Sequence, residues 1–196
     1  MSHHYLLFYK PFNVLSQFTG DSEKATLAGF GPFPKSVYPA GRLDYDSEGL
    51  LLLTDDNQLK HKLLEPTFAH PRTYLAQVER IPDKEALHRL CSGVVIDGKK
   101  TLPSEVRLLD EEPILPERVP PIRFRKTVPT AWIELTLREG RNRQVRKMTA
   151  AVGHPTLRLV RIKIGAVGIG TLKPGHHRRL TQNEITQLQQ AFVSRR

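Results

Sequence analysis

What the chain lacks narrows it first. A single cysteine, Cys91, excludes an internal disulfide and a cysteine-rich metal site, and it fits the reducing cytoplasm. No apolar run approaches the ~20 residues needed to span a bilayer, so no membrane helix is expected. The start, Met1-Ser-His-His-Tyr-Leu-Leu-Phe-Tyr-Lys, has no charged-then-apolar signal pattern and reads as a first strand. His61, His70, His88, His154, His176 and His177 show no metal-ligand spacing with acidic partners. Gly165-Ala-Val-Gly-Ile-Gly170 follows a basic strand and leads into Lys173-Pro174, which is not the strand–loop–helix setting of a phosphate loop. Neither a metal nor a cofactor is therefore expected.

Acidic residues are scarce in one stretch. Residues 121–196 carry sixteen Lys and Arg against Glu134, Glu139 and Glu184 alone, a net +13, whereas the first 120 residues are net −3. The whole chain is +10. So lopsided a distribution points to a polyanionic partner, because neutralising phosphates releases counterions and drives binding. A solvated basic face is the bland alternative, but an even scatter would have been equally soluble.

With 196 residues the chain can form one domain with a real core, or two small lobes sharing a cleft. Strands are expected at Tyr5–Tyr9, Gly49–Thr54, Thr73–Glu79, Ala131–Leu137 and Leu157–Ile164, and an extended segment at Val37–Leu43. In Leu157–Ile164, Leu157 and Leu159 are expected inward, and Arg158, Arg161 and Lys163 outward or along a groove. Helices are expected at Lys24–Phe30, at 57–64 behind the Asp55-Asp56 cap, at Pro82–Leu90 and at Arg143–Val152. A last helix should open at Thr181-Gln-Asn-Glu184, a capping box. Val94–Ile96 should turn at Asp97-Gly98 and pair with Glu105–Leu109. Residues 110–130, with Pro113, Pro116, Pro120, Pro121 and Pro129, read as a long ordered loop. The irregular interleaving predicts an α+β fold: a mixed, mostly antiparallel sheet with flanking helices, in two lobes around a catalytic cleft.

Three constellations could carry chemistry. Asp44 lies in Gly41-Arg-Leu-Asp44, just ahead of a strand expected to be buried. A lone aspartate in a turn is usually structural. A nearby cation, however, would keep it ionised, and such a carboxylate can act as a nucleophile or stabilise an electron-poor sugar carbon. Asp46 and Glu48 also permit a two-carboxylate glycosidase reading. The second constellation is Arg141, Arg143, Arg146 and Lys147; in a helix beginning near 142, residues 143, 146 and 147 share a face that could pair with a carboxylate or phosphates. The third is Tyr74, on the same strand face as Arg72. Taken alone a core tyrosine is the commoner reading, but an aromatic there could stack on a flipped base.

These segments, in this order, resemble the pseudouridine synthases that act on small- and large-subunit ribosomal RNA. Tyr9-Lys-Pro-Phe-Asn-Val-Leu-Ser16 is similar to the family's opening motif, with Asn13 where glycine is common, and Gly41–Thr54 to its catalytic motif. Arg72-Thr-Tyr74 resembles its Lys-Thr-Tyr motif with arginine for lysine, Glu139–Met148 its Arg-Gln-Val-Arg helix, and Leu159-Val-Arg161 with Gly165 its closing motif. The resemblance implies isomerisation of one uridine in 23S ribosomal RNA to pseudouridine, without cofactor. It implies a single catalytic domain over residues 1–196 with no S4 RNA-binding domain, acting as a monomer. Asp44 would be the catalytic aspartate, either nucleophile at C1′ or C6 or base at C2′. Tyr74 would stack on the base, and Arg146 would pair with the aspartate. Lys10, Arg42, Arg72, Arg141, Arg143, Lys147 and Arg161 would contact RNA. A non-catalytic rRNA-binding assembly factor is the rival from another class.

Overall fold

A computed structural model describes residues 3–20, 23–122 and 128–190. Along the chain run β1 (Tyr5–Lys10), β2 (Val14–Leu15), β3 (Ala25–Thr26), β4 (Tyr38–Pro39), β5 (Glu48–Thr54), α1 (Asn57–Leu64) and β6 (Arg72–Glu79). Then come α2 (Lys84–Ser92), β7 (Val95–Ile96), β8 (Lys99–Lys100), β9 (Glu105–Leu108), β10 (Thr130–Leu137) and α3 (Gln144–Ala151). The chain closes with β11 (Thr156–Ile164), β12 (Val167–Gly168), β13 (His177–Arg179) and α4 (Gln182–Gln190). It divides into two units, one of residues 1–70 and 161–196, the other of residues 71–160.

In the first unit the strand order is β13-β1-β5-β11, with β4 on β5 and β12 on β11. β1 and β5 pair antiparallel, Phe8 opposite Leu51 and Lys10 opposite Gly49. Glu48–Thr54 is buried at every residue, because both faces of the sheet are covered. Leu50 and Leu52 join Leu7, Leu59, Leu63 and Leu188 in one apolar cluster. Leu51 and Leu53 join Leu6, Phe8, Leu27 and Val37 in another. A run of four leucines thus serves two cores by alternation, each side chain contributing roughly 1.5–3 kcal/mol.

In the second unit the order is β11-β6-β10-β9. Ala76 and Val78 of β6, Ile133, Leu135 and Leu137 of β10, Leu90 of α2, and Val145 and Met148 of α3 form its core. Asp83 caps α2 by accepting from Ala86 N at 2.7 Å. The guanidinium groups of Arg80 and Arg89 donate to the carbonyls of Gly153 and Ala151, at the carbonyl-rich end of α3.

Several expectations need correction. Residues 24–30 form no α-helix: Ala25–Thr26 is a short strand parallel to β2, and Leu27–Phe30 a single 3₁₀ turn, since Leu27 alone of that turn is buried. Only Tyr38–Pro39 of residues 37–43 is strand. β7 pairs with β8, not with Glu105–Leu108, which instead edges β10; the Asp97-Gly98 turn is tight enough to return the chain at once. Arg158 and Arg161 are buried rather than outward, because β11 is covered on both faces. Of the 110–130 loop, residues 123–127 lie outside the described residues.

Candidate active site

The candidate residues divide between the units: Lys10, Arg42, Asp44 and Arg161 belong to the first, Arg72, Tyr74, Arg141, Arg143, Arg146 and Lys147 to the second.

Asp44 sits in the turn that feeds β5, and that turn is held from beneath. The Ser16 hydroxyl donates to Leu43 O at 2.8 Å and accepts from Leu43 N at 3.0 Å. Ser47 N donates to Asp44 O at 3.1 Å. Lys10, expected on RNA, is instead fully buried. Its ammonium donates to the carbonyls of Val14 at 2.7 Å, Pro11 at 2.9 Å and Tyr45 at 3.3 Å. Burial pushes its pKa down to about 7, against the opposing pull of the Glu48, Asp46 and Asp44 carboxylates. Three carbonyl acceptors call for three N–H groups, which only the charged form supplies. Lys10 is therefore an internal cation under the Asp44 turn. Asp44 and Asp46 are half-buried, and Glu48 is buried.

Arg161 is likewise interior, 3% exposed, with Nε on Leu50 O at 2.7 Å. β5 and β11 come so close at Gly49 that a Cβ there would lie 2.3 Å from Arg161 O, and Gly49 has φ +106°. Only glycine meets both demands. Arg42 is exposed, with Nη2 on Gln17 Oε1 at 3.3 Å.

In the second unit Tyr74 is half-buried and packs on the core that includes Val145 and Met148 of α3. Arg72 starts the same strand; its guanidinium lies beside Gly140, 3.6 Å from where a Cβ would stand. Arg146 on α3 donates through Nη1 to Thr156 O at 3.2 Å. Arg143 does not share the helix face with residues 146 and 147. It precedes α3 with φ 52°, in the left-handed region, and is exposed. The turn is set by Gln144, whose Oε1 accepts from Arg141 N at 3.0 Å and whose Nε2 donates to Glu139 Oε1 at 2.7 Å. Arg141 and Lys147 are engaged with β8 and its turn: Arg141 on the carbonyls of Lys99 and Lys100, Lys147 on Asp97.

Sequence reading passed over Ser16 and Glu139 as structural elements of the site, and placed Arg158 outward or along a groove. The first two lay within quoted motifs and gave a signal. For Arg158, whose Nη2 donates to Pro116 O at 2.7 Å, nothing local indicated burial. Among the described residues no group of three or more His, Cys, Asp or Glu is arranged to hold a metal ion. No helix among them is long and apolar enough to cross a membrane.

Comparison with known proteins places this geometry in a family. Ribosomal large subunit pseudouridine synthase E of Xanthomonas campestris pv. campestris is 55% identical over 175 residues, covering 88% of this chain and 93% of that protein. The synthase of the same description from Vibrio parahaemolyticus is 49% identical over 87% of this chain and 71% of its own. Ribosomal large subunit pseudouridine synthase B of Bacillus subtilis is 38% identical over 94% of this chain and 69% of its own. A crystal structure described as a pseudouridylate synthase superposes with a TM-score of 0.79 at 30% identity, over 95% of this chain and 74% of that one. An archaeal box H/ACA Nop10–Cbf5 complex, at 14% identity and a TM-score of 0.58, shares the fold. The α+β architecture with its largely antiparallel sheet is the pseudouridine synthase fold. Residues 4–151 match the family model described as RNA pseudouridylate synthase, and the chain belongs to that family, isomerases that convert uridine to pseudouridine.

Proposed function

We propose that the protein isomerises a specific uridine of 23S ribosomal RNA, with Asp44 as the catalytic residue and the target base flipped into a basic cleft. The N1–C1′ bond breaks, the uracil turns, and C5 bonds to C1′. C5 loses its hydrogen and N1 gains one, so there is no redox change and no demand for a cofactor. Asp44 attacks C1′ or C6, or removes the C2′ proton. Tyr74 stacks on the extruded base, and Arg146 is the third catalytic residue. Arg42, Arg72 and Arg143 meet phosphates. Residues 1–196 act as one catalytic domain, as a monomer in the cytoplasm, on an rRNA substrate.

What supports the role of Asp44 is how it is held. Its turn is fixed by Ser16 and by an ammonium that faces three carbonyls, so the half-buried carboxylate is carried on a backbone held in one place. The names of the similar proteins support the large-subunit substrate.

The decisive experiment is tritium release from 23S rRNA carrying 5-³H-uridine, because moving the glycosidic bond to C5 expels that hydrogen. Wild type should release tritium, and Asp44→Asn should lose at least ~10³-fold in rate while binding RNA almost as tightly. An Asn variant that turns over at the wild-type rate sinks the assignment. A wild type that binds rRNA and releases nothing would favour the assembly-factor reading. Mapping pseudouridines in rRNA from cells lacking the gene then identifies the uridine.

A further inference from the structure

The β7–β8 hairpin has no part in the chemistry above, yet an unusual number of polar contacts serve it. Asp97 and Gly98 turn the chain with φ of 49° and 75°, the geometry preferred by two-residue hairpin loops. At the base, Thr101 N donates to Val94 O at 2.9 Å and Val94 N donates to Thr101 Oγ1 at 3.1 Å. Two strands of two residues each would not persist alone in water, so the hairpin depends on what grips it.

The grip comes from residues 139–147. Arg141 donates through Nη1 to Lys99 O at 3.0 Å and through Nη2 to Lys100 O at 2.7 Å. Its Nε donates to Glu139 Oε2 at 3.1 Å, while Glu139 Oε1 accepts from Leu102 N at 2.8 Å. Lys147 Nζ reaches Asp97 Oδ2 at 2.6 Å. Both acids at the hairpin, Asp97 and Glu139, are thus matched by a cation. Lys99 and Lys100 are left exposed, one on each face of the ribbon, because successive strand residues point to opposite sides. Beside the burial of Ile96, three interacting side chains therefore fix the turn and β8, and leave the Lys99 and Lys100 side chains exposed.

We propose that this hairpin is a phosphate-contacting element for substrate RNA. Lys99 and Lys100 each neutralise a backbone phosphate of the bound RNA, and Arg141 is a positioning residue that orients them. Lysine suits this role because its ammonium is a compact, mobile point charge that needs no fixed geometry at the phosphate. The inference rests on the reading of the protein as an RNA-modifying enzyme and adds the surface on which the RNA backbone lies.

The test compares the full-length wild type, Lys99→Ala/Lys100→Ala and Arg141→Lys on transcribed 23S rRNA. Two quantities are read: the salt dependence of binding, and KM against kcat by tritium release. For the double variant the slope of log K against log salt should fall by about 1.4–1.8, KM should rise about three- to tenfold, and kcat should change less than about twofold. Arg141→Lys keeps the charge but loses the two-carbonyl fork, and should raise KM in the same direction with an unchanged melting transition. An unchanged slope and KM in the double variant overturns the proposal. So does a variant that binds free rRNA normally but fails only on pre-ribosomal particles, which would make the hairpin a protein contact. A wild type without tritium release would remove the proposed function, whereas the binding slope would still decide the hairpin.

Discussion

Lys10 places one ammonium under three backbone carbonyls, directly beneath the turn that carries Asp44. Lys10→Met would keep much of the volume and remove every donor. Because each buried group left unpaired costs about 1–3 kcal/mol, the variant should lose on the order of 3 kcal/mol in urea unfolding. A loss below about 0.5 kcal/mol would mean that the carbonyls find other partners. The sequence marked Lys10 as important through its motif but assigned it to RNA. Only the pairing of Lys10 opposite Gly49, in a strand buried on both faces, reveals its interior role. Gly49 was legible only as an edge of a strand, since the need for glycine arises from Arg161, more than a hundred residues away.

At the scale of elements, helix caps were read well, whereas the 24–30 helix, the 37–43 extended segment and strand partner choice were not. The capping box of α4 is formed in full: Thr181 N donates to Glu184 Oε2 at 2.8 Å and Glu184 N to Thr181 Oγ1 at 3.3 Å. Asp56 caps α1 by accepting from Leu59 N at 2.9 Å. Both depend on residues within one turn. The partner of Glu105–Leu108 could not be read, because alternation shows that a strand exists without naming its neighbour. α4 also carries a pH prediction. Hydrogen bonding and attraction from Arg178 hold the Glu184 carboxyl down at about 2, below its ordinary 4.5. A carboxyl with a lowered folded-state pKa stabilises the fold above its unfolded pKa and loses that contribution as protons bind. The contribution should therefore be whole above about pH 4.5 and fade toward pH 2. Glu184→Gln should melt lower than wild type at pH 6, and the gap should close as pH falls through that window. A gap that persists undiminished at pH 2 would contradict the assignment.

For the whole molecule, charge composition announced the partner but not the place. The basic stretch of residues 121–196 is no tail: residues up to 160 build the second unit and the rest return to the first. Several of its cations serve the fold, Arg158 and Arg161 in the interior and Arg141 and Lys147 at the hairpin. RNA binding should still be steeply salt-dependent. With about five phosphates contacted, affinity should fall on the order of a hundredfold or more between about 50 and 200 mM salt. Filter binding across that range checks this, and a flat response would remove the polyanion reading altogether.

Arg141 has one consequence beyond holding a hairpin. Its guanidinium grips the carbonyls of Lys99 and Lys100, and its own backbone N–H donates to Gln144, the first residue of α3. Arg141 therefore ties the exposed Lys99 and Lys100 to the opening turn of the helix that carries Arg146, by its side chain on one side and its backbone on the other.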